Sequence, residues 1–172
     1  MANTLKLKEI IKKISQMAAL ANALVLTSEC TSFILVGEEM LRTKGGDSNS
    51  YDSRYKVNEI DYSRKITFKE VYDNYKILIN FKTSTPLMHL ETADAINKAI
   101  KFSEDTNLNS TFDYELKDEN TTYRIIHSNF AAKELKIDLW KYDILIDALN
   151  STYTNKTECV VSKGQTLVLK EK

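Results

Sequence analysis

Two short segments with the two-residue period of a β-strand, joined by a turn, constrain this chain more than any other feature. Phe112, Tyr114 and Leu116 alternate with polar residues, Asp118-Glu119-Asn120 supplies a turn, and Tyr123, Ile125 and His127 resume the alternation. Successive side chains on a strand face opposite ways, so the pattern demands an antiparallel hairpin with one apolar face. The first 44 residues carry a different period. Leu7, Ile10, Ile11, Ile14, Met17, Ala18, Ala21, Leu24 and Val25 recur at spacings of three and four over residues 5–25, the stripe of an amphipathic helix. Residues 29–42 continue as a second helix, capped by Ser28 and stopped by Gly45 and Gly46. The run Phe33-Ile34-Leu35-Val36 also reads as a short strand.

The remaining segments follow the same two periods. Residues 54–84 read as β-rich, most clearly at 75–82, where Tyr75, Ile77, Ile79 and Phe81 alternate with Lys76, Asn80 and Lys82 before Pro86 ends the run. Thr92 caps a helix over about 92–104. Ser128 or Asn129 opens another to about 150, and 157–170 forms a hairpin turning at Lys163-Gly164. The order αα-βββ-α-ββ-α-ββ predicts an α+β fold, an N-terminal helical hairpin followed by a largely antiparallel sheet with two further helices packed on it. At 172 residues the chain suits one domain. Within it, 1–44 is a helical subregion and 45–50 a flexible loop. Tyr75, Ile77, Ile79, Phe81, Ile125 and Leu139 are the expected core.

The chain holds little that catalysis ordinarily uses. It has two histidines, two cysteines and four glycines, and none stands at the spacing of a nucleophile elbow, a phosphate-cradling loop or a zinc site. His127 lies on the apolar face of its strand, where a packed, hydrogen-bonded ring is expected. Lys and Arg balance Asp and Glu at 24 each, so no bulk field gathers nucleic acid or an anionic membrane. No apolar stretch is taken to reach the roughly 20 residues of a membrane span, and the location expected is cytoplasmic. No cofactor or metal is expected.

Three constellations carry candidate function. Asp113, Glu115 and Lys117 share one face of a strand. Carboxylates holding a metal ion beside a lysine could activate water, and Glu115-Leu116-Lys117 resembles the Glu-x-Lys half of the PD-(D/E)xK nucleases, without the Pro-Asp half. Arg54-Tyr55-Lys56, Tyr62-Ser63-Arg64-Lys65 and Phe68-Lys69 interleave rings with cations, the pattern that grips single strands, yet nearby acidic residues cancel the charge and an ordinary strand surface is expected. On a helix over 130–150, Leu135, Leu139, Tyr142, Ile146 and Leu149 form one stripe, and Ile137, Trp140, Ile144 and Ala148 a second on nearly the opposite side. A second apolar face implies a second contact: either the C-terminal hairpin or the N-terminal helices cover it within the domain, or it meets a partner with Trp140, Ile137 and Ile144 as the interface.

Lys outnumbers Arg twenty to four, and Ile, Asn and Tyr abound, residues whose codons are A/T-rich. The expectation is therefore a non-enzymatic assembly or interaction protein of a phage or a similar genome, a virion component or an inhibitor of a host protein. Its partner would be a protein or a second copy of itself, not a membrane or nucleic acid. A metal-dependent nuclease using Asp113, Glu115 and Lys117 is the alternative, and a small-molecule-binding domain the third reading.

Overall fold

The computed structural model describes residues 2–104, 110–132, 134–148, 152–155 and 157–172. Helix α1, Ala2–Thr27, forms where the three-and-four spacing places it, but its buried side is not the expected stripe. Ala19, Ala23, Leu26 and Thr27 are buried, whereas Ile10, Ile11, Ile14 and Met17 remain exposed. Small residues let the backbone approach its neighbours closely, and the larger apolar side chains are left outside. By length and composition Lys8–Thr27 also reaches the size of a membrane span, with 22% of it buried, contrary to the expectation that no stretch does.

The expected second helix at 29–42 is absent. Residues 31–35 form no regular element, Gly37 has φ +100°, and only Glu38–Met40 winds into a 3-10 turn. Short helices α2, Tyr55–Asn58, and α3, Arg64–Thr67, follow. The strand expected at 75–82 is helix α4, Lys69–Ser84. Tyr75, Ile77, Ile79 and Phe81 fit a two-residue period, but a window reaching back to Val71 reveals the helical one. Val71, Asn74, Tyr75, Leu78, Phe81 and Lys82 are buried, at spacings of three and four. Ile77 and Ile79, placed in the core by the strand reading, are 48% and 39% exposed. Lys69 pairs with Asp73 one turn along. Helix α5, Ala93–Ala99, begins at Thr92 as expected, whose hydroxyl accepts from the Ala95 N–H at 3.2 Å.

Among the described residues eight strands form two antiparallel sheets. They are β1, Ile100–Phe102; β2, Thr111–Lys117; β3, Thr122–Ser128; β4, Leu135–Asp138; β5, Tyr142–Ala148; β6, Thr152–Asn155; β7, Glu158–Val161; and β8, Gln165–Glu171. The larger sheet runs β1-β2-β3-β8-β5 and the smaller β4-β7-β6. The α+β class with a largely antiparallel sheet holds. The β2–β3 hairpin is as expected, with Asp118 Oδ1 accepting from the Asn120 and Thr121 N–H groups at 2.8 Å each.

The helix expected over 130–150 is instead β4, a turn and β5, and Leu149 of its first stripe lies outside the described residues. Two opposed apolar stripes belong to strands here because β5 is packed on both sides. Ile144 joins one core and Ile146 the other, an irregularity in register between them shifting the alternation. The expected 157–170 hairpin is also corrected, since β7 pairs with β4 and β6, whereas β8 inserts between β3 and β5. The turn at Gly164, φ +74°, carries the chain between sheets. A Cβ there would lie 2.6 Å from the Phe130 ring, so glycine is required twice over.

The large sheet thus has a core on each face. Leu78, Tyr75, Val71 and Met88 pack with Leu116, Ile125 and Val168 on the helical side, and Ile137, Cys159 and Val161 of the small sheet pack with Ile126, Leu167 and Leu169 on the other. One buried polar chain ties the end of α1 to the sheet. The Thr27 hydroxyl donates to Ala23 O at 2.9 Å and meets His127 Nε2 at 2.9 Å, and His127 Nδ1 meets the Thr166 hydroxyl at 2.9 Å. A hydroxyl has one proton, so Thr27 accepts from Nε2–H, which assigns Nδ1 the acceptor role toward Thr166. Tyr114 donates to Thr27 O at 2.6 Å.

Candidate functional site

Residues 37–68 pass from the irregular 31–35 run to α4 without a long regular element. A segment of that length in a packed domain is usually functional, and its internal bonding is dense. Gly37 lets Arg42 lie against it, since a Cβ would sit 2.7 Å from Arg42 Cβ. Arg42 donates to Val36 O at 3.4 Å and to Asn58 O. Asn58 is the hub: its Nδ2 donates to Ser50 O at 2.7 Å and Ser53 O at 3.2 Å, and its Oδ1 accepts from Lys44 Nζ, which also donates to Ser50 Oγ at 2.7 Å. Arg64 Nε reaches Leu41 O at 3.0 Å, beside the positive φ of Leu41, and its guanidinium stacks 4.7 Å from the Phe68 ring. Lys65 Nζ lies between the rings of Tyr62, at 5.2 Å, and Tyr72, at 4.9 Å.

The segment's carboxylates are held in the same way. The Ser53 hydroxyl and then the Asn49 N–H hold Asp47 below the usual carboxylate range, and the Ser63 hydroxyl and N–H do so for Asp61. Met40 is fully buried and fixes the segment, and burial and then Glu38 and Glu39 push up the Tyr75 hydroxyl. With so many polar groups bonded inward, three rings face outward: Tyr51 at 86% exposure, Tyr55 at 81%, and Tyr62. The arrangement offers flat apolar ring faces beside hydroxyls, amides and carboxylates on a bonded frame. The aromatic–cation interleaving of the sequence pointed here, and a strand surface was the wrong setting for it.

Outside this segment a cleft of about 830 Å³ opens between the end of α1, α4 and residues 88–91. Glu29, Cys30, Lys82 and His89 line it with Leu26 and Met88. Lys82 Nζ donates to Ser28 O at 2.7 Å, and His89 Nε2 meets Lys82 O at 2.8 Å. Burial raises the Glu29 carboxyl and lowers the Lys82 ammonium.

The residues singled out from the sequence are placed differently. Asp113, Glu115 and Lys117 do share a face of β2, but Asp113 is buried and both its oxygens are taken by Arg124, Nε to Oδ1 at 3.1 Å and NH2 to Oδ2 at 2.6 Å. That bidentate bond holds the guanidinium's pKa up, and Lys117 is exposed at the strand end. Ile137 and Ile144 join the core between the sheets, whereas Trp140 stands in the β4–β5 turn at 72% exposure. The three do not form one surface. The ring of His127, expected to be packed and hydrogen-bonded, is so.

No family model matches the chain. Over 82 residues it is 35% identical to a pullulanase of Bacillus subtilis strain 168, a match covering 48% of this chain and 11% of that protein. Among solved structures it resembles a pullulanase variant from Paenibacillus barengoltzii complexed with maltotetraose, with a TM-score of 0.76 and 25% identity over 91% of this chain and 25% of the other. It has the fold of a pullulanase from Anoxybacillus sp. LM18-11 complexed with maltotriose, TM-score 0.77, 24% identity, 92% of this chain and 23% of the other. It also has that of the catalytic module of the pneumococcal glycogen-degrading virulence factor SpuA, TM-score 0.79, 19% identity, 96% of this chain and 32% of the other. The chain thus spans about a tenth of the curated relative and about a quarter of the solved pullulanases. These likenesses overturn the expectation of a non-enzymatic phage assembly or inhibitor protein and the nuclease alternative. The relatives are carbohydrate-active proteins of bacteria, and A/T-rich composition was no guide to origin beyond base content.

Proposed function

We propose that this chain is a maltooligosaccharide-binding part of pullulanase-like action, with residues 37–68 as the surface that meets the sugar. The observation that carries the reading is the 35% identity to a pullulanase, in a chain whose fold recurs in pullulanases solved with maltotriose and maltotetraose. The physical support is the exposure of Tyr51, Tyr55 and Tyr62 on a frame of inward hydrogen bonds. A pyranose ring has an apolar C–H face that packs on an aromatic ring and a rim of hydroxyls that bond to side chains such as these. The exposed apolar side of α1 and exposed Phe33, Leu35 and Val36, Phe33 at 91% exposure, fit a chain that works against further polypeptide, as an uncovered patch of this kind implies.

Titration of the isotope-labelled chain with maltotetraose tests the reading. Amide shifts concentrated in 37–68, and smaller ones with a β-linked glucan of equal length, are expected. Tyr51→Ala and Tyr55→Ala should each weaken binding by about two- to tenfold, the worth of one stacked ring. Shifts that avoid 37–68, or affinities indifferent to both substitutions, would remove this segment from the sugar.

A further inference from the structure

Trp140 is the only tryptophan in the chain, and an indole is ordinarily well covered. Here it is held outward on a fixed mount. Asp138 Oδ1 accepts the Trp140 N–H at 2.9 Å, the Leu139 N–H donates to Thr157 O at 2.8 Å, and Ile137 just before the turn is locked into the core between the sheets. Beside the ring lies a cleft of about 330 Å³ lined by Lys136, Asp138, Trp140, Thr157 and Glu158, at the lower end of the size of ligand pockets. Asp138 and Glu158 stand opposite each other on β4 and β7, with Lys136 Nζ 3.2 Å from Glu158 Oε1.

This chemistry is selective. Among the described residues lining the cleft, one ammonium faces two carboxylates, a balance that does not favour phosphate, sulfate or nucleic acid. No group of three His, Cys, Asp or Glu among the described residues could hold a metal ion. A flat indole bordered by carboxylate acceptors suits a neutral ring with one apolar face and hydroxyl donors on its edge.

We infer that the Trp140 cleft is a second maltooligosaccharide-binding site, on the far side of the large sheet from residues 37–68. The inference rests on the reading that the ligand is an α-glucan and adds a place where a long chain is held a second time. Two linked contacts raise the hold on a polymer through effective concentration, without new chemistry.

Since Trp140 is the sole tryptophan, its fluorescence reports this site alone. Maltotetraose should change its emission saturably and shield it from acrylamide, and should do so equally in a Tyr51→Ala chain. Asp138→Asn keeps the acceptor for the turn but removes the charge, and should weaken the fluorescence-detected affinity about fivefold. Trp140→Ala should lower the affinity for long glucans, measured by calorimetry, with the circular dichroism unchanged. If calorimetry still detects maltotetraose, sensitive to Tyr51→Ala, while Trp140 emission stays flat, this site falls and the reading of 37–68 stands. If neither heat nor emission responds, both fall. Self-association without sugar that Trp140→Ala abolishes would overturn the inference in favour of a protein contact.

Discussion

The ring of His127 is neutral in the folded chain for a structural reason, and acid should expose it. It is enclosed between Thr27 and Thr166 with Phe112 and Tyr114 stacked alongside, and burial lowers its pKa from the ordinary 6.5 to about 4. The unfolded chain binds the proton more readily, so stability is fully present above pH 6.5 and is lost as the pH falls toward 4. A gap between 6.5 and about 4 sets the full loss at about 3 kcal/mol, with about 2 kcal/mol gone by pH 5. His127→Asn removes the titration while keeping one donor and one acceptor, at a cost of about 1–3 kcal/mol at pH 7 for imperfect bonds. Urea unfolding of both chains at pH 7, 6 and 5 isolates the effect, because the carboxylates contribute the same slope to each. The parent should lose about 2 kcal/mol more than His127→Asn between pH 7 and 5. Equal losses, or an imidazole that titrates near 6.5 by NMR in the folded chain, would refute the argument that burial keeps this ring neutral.

Leu78→Ala should cost about 2–5 kcal/mol by denaturant unfolding, since Leu78 is fully buried, and Ile79→Ala distinctly less because that residue looks partly into solvent. Reversed magnitudes would restore the strand reading of 75–82. Asp113→Ala leaves Arg124 facing a desolvated site without its partner and should cost about 2–3 kcal/mol, discounted from the fully buried case for the part of Arg124 that meets water. A melting temperature within a degree of the parent would show that water replaces the carboxylate. The uncovered apolar residues of α1 should make the isolated chain self-associate, and Ile14→Lys with Phe33→Ser should reduce the mass seen by light scattering. Unchanged mass would mean that this side is not a sticky surface.

Where a segment carries both its period and its stop signals, neighbours in sequence settle the structure. The β2–β3 hairpin is such a case, because Asp118 closes the turn on its own backbone and the alternation on either side can pair only one way. The Thr92 cap and the helical period of residues 5–25 were legible for the same local reason. Which side of α1 is buried was not, because the choice of Ala19 and Ala23 over Ile14 and Met17 depends on how closely α4 and the sheet approach. Residues 75–82 satisfy both periods, and the contact of Leu78 with the sheet selects the helix. Residues 135–148 are apolar on opposed faces, which a lone helix and a strand between two cores explain equally well. Only the small sheet, assembled from β4, β6 and β7, supplies the second core that makes them strands and leaves Trp140 at the turn. The tyrosines of 37–68 were visible in the sequence as rings among charges. Their common outward exposure required Asn58, Arg42 and Arg64 to fold the segment's polar groups inward, bonds spanning up to 24 residues that no local pattern encodes.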